Sequence, residues 1–328
     1  MQTDLDGRTM TTTEVRNEYV RLSNGALAHF TAAGDRGPAV ILLHGGLPGS
    51  SGSAGWSKLV PELARRGARV YAPDLPGFGR SDTRQEHYPH LGLKSWVDFV
   101  REFANAMGLD RFYIGGNSQG AQISALFTAN HFDRIQGLFL ISTAGLSECL
   151  QISWPFRERG DWPPRFEGSE SSMREILEHV IRAKDNITDD LVIQRTRAAG
   201  LQAISYAAGV ASRRGVASQD FLQWMDLSNR LSRMEIPMIY LHGINDRLLP
   251  LEGVQLQEDA LPNVQFFYLE NCGHQAQTDQ PELVNQLISE FVLNDNISHK
   301  LAQQAGISTR RPMLTSLVGG TTEYEPAV

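Results

Sequence analysis

The sequence predicts an α/β fold, a mostly parallel sheet flanked by helices and interrupted by a helical insertion. Three observations carry this. The stretch Ala39-Val40-Ile41-Leu42-Leu43 is continuously apolar, as a strand buried on both faces must be. Strand-like and helix-like segments then alternate, the pattern of parallel strands joined by right-handed crossovers. The alternation breaks near Gly145 and returns at Pro237, which leaves room for a separate helical unit.

Taken in order, residues 1 to 14 form a polar lead. Val15 to Ala33 carries two strand-like runs around Ser23-Asn24-Gly25, where Asn-Gly signals a hairpin turn. After the strand at 39 to 43 come a helical stretch, Trp56 to Gly67, and a strand, Ala68 to Ala72, closed by Pro73-Asp74. Ser95 to Met107 has Trp96, Val97, Val100, Phe103 and Ala104 at helical spacing. Phe112 to Ile114 reads as a strand, Gln119 to Asn130 as a helix and Gly137 to Ser142 as another buried strand. From Gly145 to Met234, Trp154-Pro155, Trp162-Pro163-Pro164 and Glu167-Gly168-Ser169 break any strand, and short amphipathic helices fill the rest. Strands at Pro237 to Leu241 and Val264 to Leu269, then a helix at Pro281 to Leu293, complete the pattern. The expected organisation is a core at 1–144 and 235–294, a helical cap at 145–234, and a tail at 295–328. The tail lacks periodicity and is expected to be loosely ordered.

A chain of 328 residues suffices for one large α/β domain with an insertion, or for two domains. Its net charge of −7, with no basic run longer than Arg213-Arg214 or Arg310-Arg311, argues against a nucleic-acid partner. The lead has no apolar core of a signal peptide, and no run of about 18 apolar residues exists to span a membrane. Two cysteines, Cys149 and Cys272, are too few for a disulfide framework and fit a reducing cytoplasm. No Cys/His spacing suggests a metal, and no phosphate-binding or dinucleotide glycine fingerprint appears. The partner expected is a small-molecule substrate; a homo-oligomer is left open.

The chemistry concentrates in "GGNSQGAQ", residues 115–122. A serine between Gly116 and Gly120, after a strand and before a helix, is the pattern of a nucleophile elbow, a tight turn in which Cβ atoms at the flanking positions would clash. Serine needs a base to take its proton, and that base needs an acid to hold it in one tautomer. Asp246 follows one strand in "HGINDRLLP" and His274 follows the next in "ENCGHQAQ". The order Ser118, Asp246, His274 is that of an α/β-hydrolase, and the parallel strands bring all three to one sheet edge. Asp246 could instead cap the turn before Pro250, and His274 could be one of nine ordinary histidines. Asp74, which ends an earlier strand, is an alternative acid, whereas Asp279 follows His274 too closely in sequence to orient it easily. The glycine-rich "LLHGGLPGSSGS" can offer backbone N–H groups to an oxyanion, with the amides of Gly46 or Leu47 paired with that of Gln119. His44 there is either structural or a substrate contact. "DLPGFGRSD", Asp74 to Asp82, reads as a structural turn at the same edge.

These motifs resemble an α/β-hydrolase of the meta-cleavage product hydrolase type, enzymes that hydrolyse carbon–carbon bonds in aromatic degradation. The resemblance covers about Asn24 to Leu293. It is carried by His44-Gly45-Gly46-Leu47-Pro48-Gly49, Gly55-Trp56-Ser57, Pro76-Gly77-Phe78-Gly79-Arg80-Ser81-Asp82, Gly116-Asn117-Ser118-Gln119-Gly120, Asn245-Asp246-Arg247 and Cys272-Gly273-His274. It implies a cofactor-independent hydrolase of a 2-hydroxy-6-oxo-dienoate, with Gly45, Asn117, Arg195 (in "NITDDLVIQR") and Gln275 as substrate contacts, although Arg195 could instead lie on the solvated face of a cap helix. Three residues depart from the family pattern. Lys58 stands where asparagine follows Trp-Ser, Gln119 where methionine follows the nucleophile, and Gln275 where tryptophan follows the histidine. All three are expected to line the pocket, and a polar Gln275 implies a more hydrophilic or differently shaped site. The same triad would serve a carboxylesterase or lactonase, and a catalytically silent ligand receptor on this fold is a further alternative. Haloalkane dehalogenase and the usual epoxide hydrolase chemistry need an aspartate where Ser118 stands.

Overall fold

A computed structural model describes residues 14–82, 84, 92–154, 160–213 and 218–319. Most of the polar lead, the Gly320-Thr321-Thr322 end, and the parts of the insertion at Pro155 and Arg214 lie outside the described residues. Strands β1 (Arg16–Arg21) and β2 (Leu27–Ala33) form the expected hairpin, and Gly25 takes the φ of +85° that its turn requires. Next come β3 (Ala39–Leu43), short α1 (Gly52–Gly55), α2 (Leu59–Arg65), β4 (Arg69–Pro73), α3 (Leu93–Ala106), β5 (Phe112–Asn117), α4 (Gln119–Asn130) and β6 (Ile135–Ile141).

Between β6 and β7 (Met238–Gly243) lie α5 (Gly145–Cys149), α6 (Glu170–Val180), α7 (Asp189–Arg213) and α8 (Gln219–Met225), with no strand among the described residues. The chain closes with α9 (Leu251–Ala260), β8 (Gln265–Leu269), α10 (Ala276–Asp279), α11 (Pro281–Asn294) and α12 (His299–Gln304). Helix α9 has no clear apolar stripe in the sequence; burial of Gly253, Val254 and Gln257 holds it in place.

The eight strands run in the order β1-β2-β4-β3-β5-β6-β7-β8, with β2 antiparallel to both its neighbours and every other pairing parallel. The chain goes from β3 to β4 on one side, then crosses back to β5 on the other. This reversal opens a crevice beyond the carboxyl ends of β3 and β5, where open α/β sheets bind ligands. Side chains along each central strand alternate between two cores. Ile41, Leu43, Ile114, Leu138, Leu140 and Tyr240 face α3 and α4, whereas Val40, Leu42, Tyr113, Phe139, Ile141 and Leu241 face α2 and α11. Burial on both faces explains why these strands read as unbroken apolar runs.

The expected loose tail is corrected over 295–319. Ile297, Leu301, Ala302, Ala305, Ile307, Leu317 and Val318 are buried with the α2 and α11 core. The edge of β8 is paired: Tyr268 N–H donates to Gly306 O (2.8 Å) and Ser308 N–H to Phe266 O (2.9 Å). Arg310 adds ion pairs to Glu258 and Asp259, both at 3.0 Å. The order comes from a tertiary partner, an open strand edge and an apolar helix face, which periodicity within the segment does not reveal.

Candidate active site

Ser118 occupies the turn between β5 and α4 at φ 56° and ψ −119°, a left-handed conformation that a serine adopts only when its surroundings impose it. Those surroundings are visible. A Cβ on Gly116 would lie 2.4 Å from Gly120 C, and one on Gly120 would lie 2.2 Å from Leu43 O. Ser118 N–H donates to Ile141 O at 2.8 Å, which ties the turn to β6. The two glycines therefore shape the bend, and the first amide of α4, at Gln119, has no intrahelical partner by geometry.

Asp246 sits in the turn after β7 and uses its two oxygens differently. Oδ1 accepts from Leu248 N–H (2.9 Å) and Leu249 N–H (3.2 Å), so it does cap the turn; Oδ2 lies 2.8 Å from His274 Nδ1. Both side chains are buried, at 0% and 1% exposure. Burial opposes the charge on Asp246, but His274 and the turn amides outweigh it and hold the carboxyl below its ordinary range. Pairing through Nδ1 leaves Nε2 as the other ring nitrogen, buried and without a protein partner. His274 is anchored at the backbone: its N–H donates to Val180 O at 2.9 Å, and its carbonyl accepts from Asn117 Nδ2 at 2.9 Å.

The two alternative acids are engaged elsewhere. Asp279 accepts from Gly273 N–H and Ala183 N–H, both at 2.7 Å, clamping the histidine loop to the end of the α6 connection. Asp74 lies 2.8 Å from His29 Nδ1 and accepts from Gly52 N–H (2.7 Å) and Arg80 N–H (2.8 Å), organising the "DLPGFGRSD" turn. His44 is saturated too. Its Nδ1 is 2.8 Å from Gly45 O, and its Nε2 accepts from Leu75 N–H at 3.0 Å, so it pins the glycine-rich loop as a neutral ring whose pKa burial lowers.

Ser118 and His274 border two cavities. The first is tight, with room for about one water-sized group (about 10 Å³). Gly45, Gly46, Leu47, Asn117, Arg195, Gln275 and Gln277 are among its walls. The second is a cleft of about 750 Å³ whose lining includes the polar Gln119, Gln122, Thr143, Ser147 and Glu148 and the largely apolar Ile152, Trp154, Trp162, Leu248 and Leu249. Of the three departures from the family pattern, Gln275 borders the tight pocket and Gln119 the wide cleft. Lys58 does neither: it is exposed on a neighbouring cavity behind Gly55 and Gln277, because it points away at the start of α2.

Arg195 is the strongest electrostatic feature. It projects from α7, is 2% exposed, and no carboxylate pairs with it among the described residues. Nε and Nη2 have no hydrogen-bond partner, and burial lowers its pKa to about 10. A buried cation without an acidic partner is costly unless a ligand supplies the anion. Sequence reasoning missed Gln277, whose buried Oε1 also lacks a partner in this pocket; its only signal was its place three residues after His274. Among the described residues no cluster of His, Cys, Asp and Glu could hold a metal ion, and no helix is long and apolar enough to cross a membrane.

Residues 38–281 match the alpha/beta hydrolase fold family. The chain is 30% identical over 259 residues to 2-hydroxy-6-oxo-2,4-heptadienoate hydrolase from Pseudomonas putida, covering 78% of this chain and 89% of that protein. It is 27% identical over 270 residues to 2-hydroxy-6-oxo-6-phenylhexa-2,4-dienoate hydrolase from Burkholderia cepacia, covering 81% and 91%. A solved meta-cleavage product hydrolase from Pseudomonas fluorescens superposes with a TM-score of 0.66 at 22% identity, covering 85% of this chain and 98% of that one. The chain belongs to the alpha/beta hydrolase fold family and is a hydrolase resembling the meta-cleavage product hydrolases.

Proposed function

We propose that the protein hydrolyses the carbon–carbon bond of a 2-hydroxy-6-oxo-dienoate formed by ring fission of a catechol, without a cofactor. The observation that carries the reading is Arg195, a buried cation lacking an acidic partner in the pocket that Ser118 and His274 border. Its planar donor fork suits a substrate carboxylate. The tight pocket admits a carboxylate-bearing end only if the flexible Gln275 and Gln277 side chains swing aside.

In this reading His274 Nε2 first carries the proton of the 2-hydroxyl to the carbon beside the remote carbonyl, giving the keto form. Ser118 Oγ then adds to that carbonyl as its proton passes to Nε2. The amides of Gln119 and of Gly46 or Leu47 hold the oxyanion. Carbon–carbon cleavage expels an enolate, which takes the proton held on Nε2. Water then attacks the acyl group as Nε2 accepts its proton, and that proton passes to Ser118 Oγ as the acid leaves. Asp246 holds His274 in the tautomer that presents Nε2. One observation favours a second reading, a carboxylesterase or lactonase with the same triad: the tight pocket is small beside the 750 Å³ cleft.

A spectrophotometric screen of coloured ring-fission products beside aryl esters and lactones tests the two. Ser118→Ala should abolish turnover by thousands-fold or more while the protein stays folded. Arg195→Ala should lower kcat/KM for carboxylated ring-fission products by one to two decades, the worth of a charge-assisted hydrogen bond of about 1.5–3 kcal/mol. Neutral aryl esters should be spared; equal losses on both classes would turn the assignment to an esterase.

A further inference from the structure

Gln119 contributes more to the site than its backbone amide. Its side chain lies across the glycine-rich loop: a Cβ on Gly46 would meet Gln119 Oε1 at 2.2 Å, so only glycine at 46 admits the carboxamide there. Its Nε2 is shielded from solvent and has no hydrogen-bond partner. The residue borders the wide cleft together with Ser118 and His274, not the pocket that holds Arg195. Neighbouring polar groups of that wall are already engaged. Gln122 Nε2 donates to Gly145 O at 3.0 Å, Thr143 O accepts from Gln257 Nε2 at 2.9 Å, and Ser147 Oγ accepts from the same Nε2 at 2.8 Å. Gln119 thus holds a donor without an internal acceptor beside the residue that would form the acyl bond. A buried donor is rarely left without a partner.

We propose that the Gln119 carboxamide determines specificity on the acyl side: its Nε2–H donates to an oxygen carried by the group attached to the carbonyl under attack. The inference rests on Ser118 as nucleophile, with the acyl group of the substrate in the wide cleft. It selects acyl groups bearing an ether, hydroxyl or keto oxygen near that carbonyl over plain alkyl groups of the same size. A hydrogen bond gained by one substrate and absent from its isostere supports about tenfold discrimination.

The test uses two 4-nitrophenyl esters, butanoate and methoxyacetate, which differ by an oxygen in place of a methylene. The kcat/KM ratio of methoxyacetate to butanoate is measured in the wild type, in Gln119→Met, of similar length but with no donor, and in Gln119→Asn. Comparing ratios between variants cancels the intrinsic reactivity of the esters. The ratio should fall about tenfold in Gln119→Met, whatever the change common to both esters, and partly recover in Gln119→Asn. A ratio unchanged within twofold in Gln119→Met, or equal losses on both esters, overturns the proposal. Esters keep this test separate from the carbon–carbon reading. A tenfold shift with no turnover of ring-fission products would remove the dienoate substrate and leave Gln119 in its role. Ring-fission turnover with an unchanged ester ratio would do the reverse.

Discussion

Gly49 N–H donates to Gln202 Oε1 at 2.8 Å, joining the glycine-rich loop after β3 to a helix residue 153 positions later. Two turns earlier on α7 the backbone also comes close, since a Cβ added at Gly49 would lie 2.0 Å from the carbonyl oxygen of Arg195. Gly49 also sits at φ +72°, which side-chain-bearing residues adopt at a cost. The loop with the candidate oxyanion amides and the helix with Arg195 are therefore seated on each other at Gly49, through the Gln202 carboxamide and the Arg195 carbonyl. Gly49→Ala should push α7 off the loop, lowering stability by about 1–3 kcal/mol and raising KM for carboxylated substrates more than for neutral esters. Urea unfolding and paired kinetics check this; wild-type stability with unchanged KM would mean the helix yields freely.

Asp246→Asn should leave the fold nearly intact and lower kcat by about 10⁴, because the amide favours the wrong tautomer of His274. Asp74→Asn should do the opposite, lowering stability through the His29, Gly52 and Arg80 contacts while sparing most of the rate. Melting curves set beside kcat separate the two. A crippled but stable Asp74 variant would transfer the acid role.

His242 lies buried at the end of β7, where burial lowers its pKa to about 4, partly countered by Asp246. The sign follows from proton uptake. Between pH 6.5 and 4 the unfolded chain binds a proton at this histidine that the folded one refuses, so stability is complete above about pH 6.5 and declines as pH falls through that window. From pH 7.5 to pH 5 this one group costs about 2 kcal/mol. His44, lowered in the same direction, adds to the decline. His242→Gln should reduce the loss between those pH values by about that amount, as read from urea unfolding at each; an unaltered pH dependence would assign the acid sensitivity elsewhere.

Ending the chain after Asn294 removes the segment that pairs with β8, along with the Asp295 carboxylate that accepts from the Tyr113 hydroxyl. The shortened protein should expose Phe267, Val284 and Ile288 and an unpaired strand edge. Lower melting temperature and concentration-dependent association by light scattering are the expected results. A monomer as stable as the full chain would show that the segment is dispensable.

The central strands, the elbow and the serine–aspartate–histidine order were legible in the sequence because each is written in neighbouring residues. Two-sided burial makes Val40 to Leu43 uniformly apolar, and the close approach at Ser118 demands glycine two positions away on either side. The apolar residues of 295–319 were present but irregularly spaced, since they answer to an existing edge and not to a helix or strand period of their own.

The sequence by itself determined which residues could carry hydrolytic chemistry and the order in which the strands deliver them. Only the tertiary structure gave Asp246, Asp74 and Asp279 their different partners, setting Asp246 against His274, Asp74 against His29 and Asp279 against the Gly273 amide. It also divided Gln275, Gln119 and Lys58 among three cavities and left Arg195 buried without an acidic neighbour. The reason is physical: turn geometry and periodicity are properties of adjacent residues, whereas desolvation and pairing depend on groups that meet only when distant segments pack.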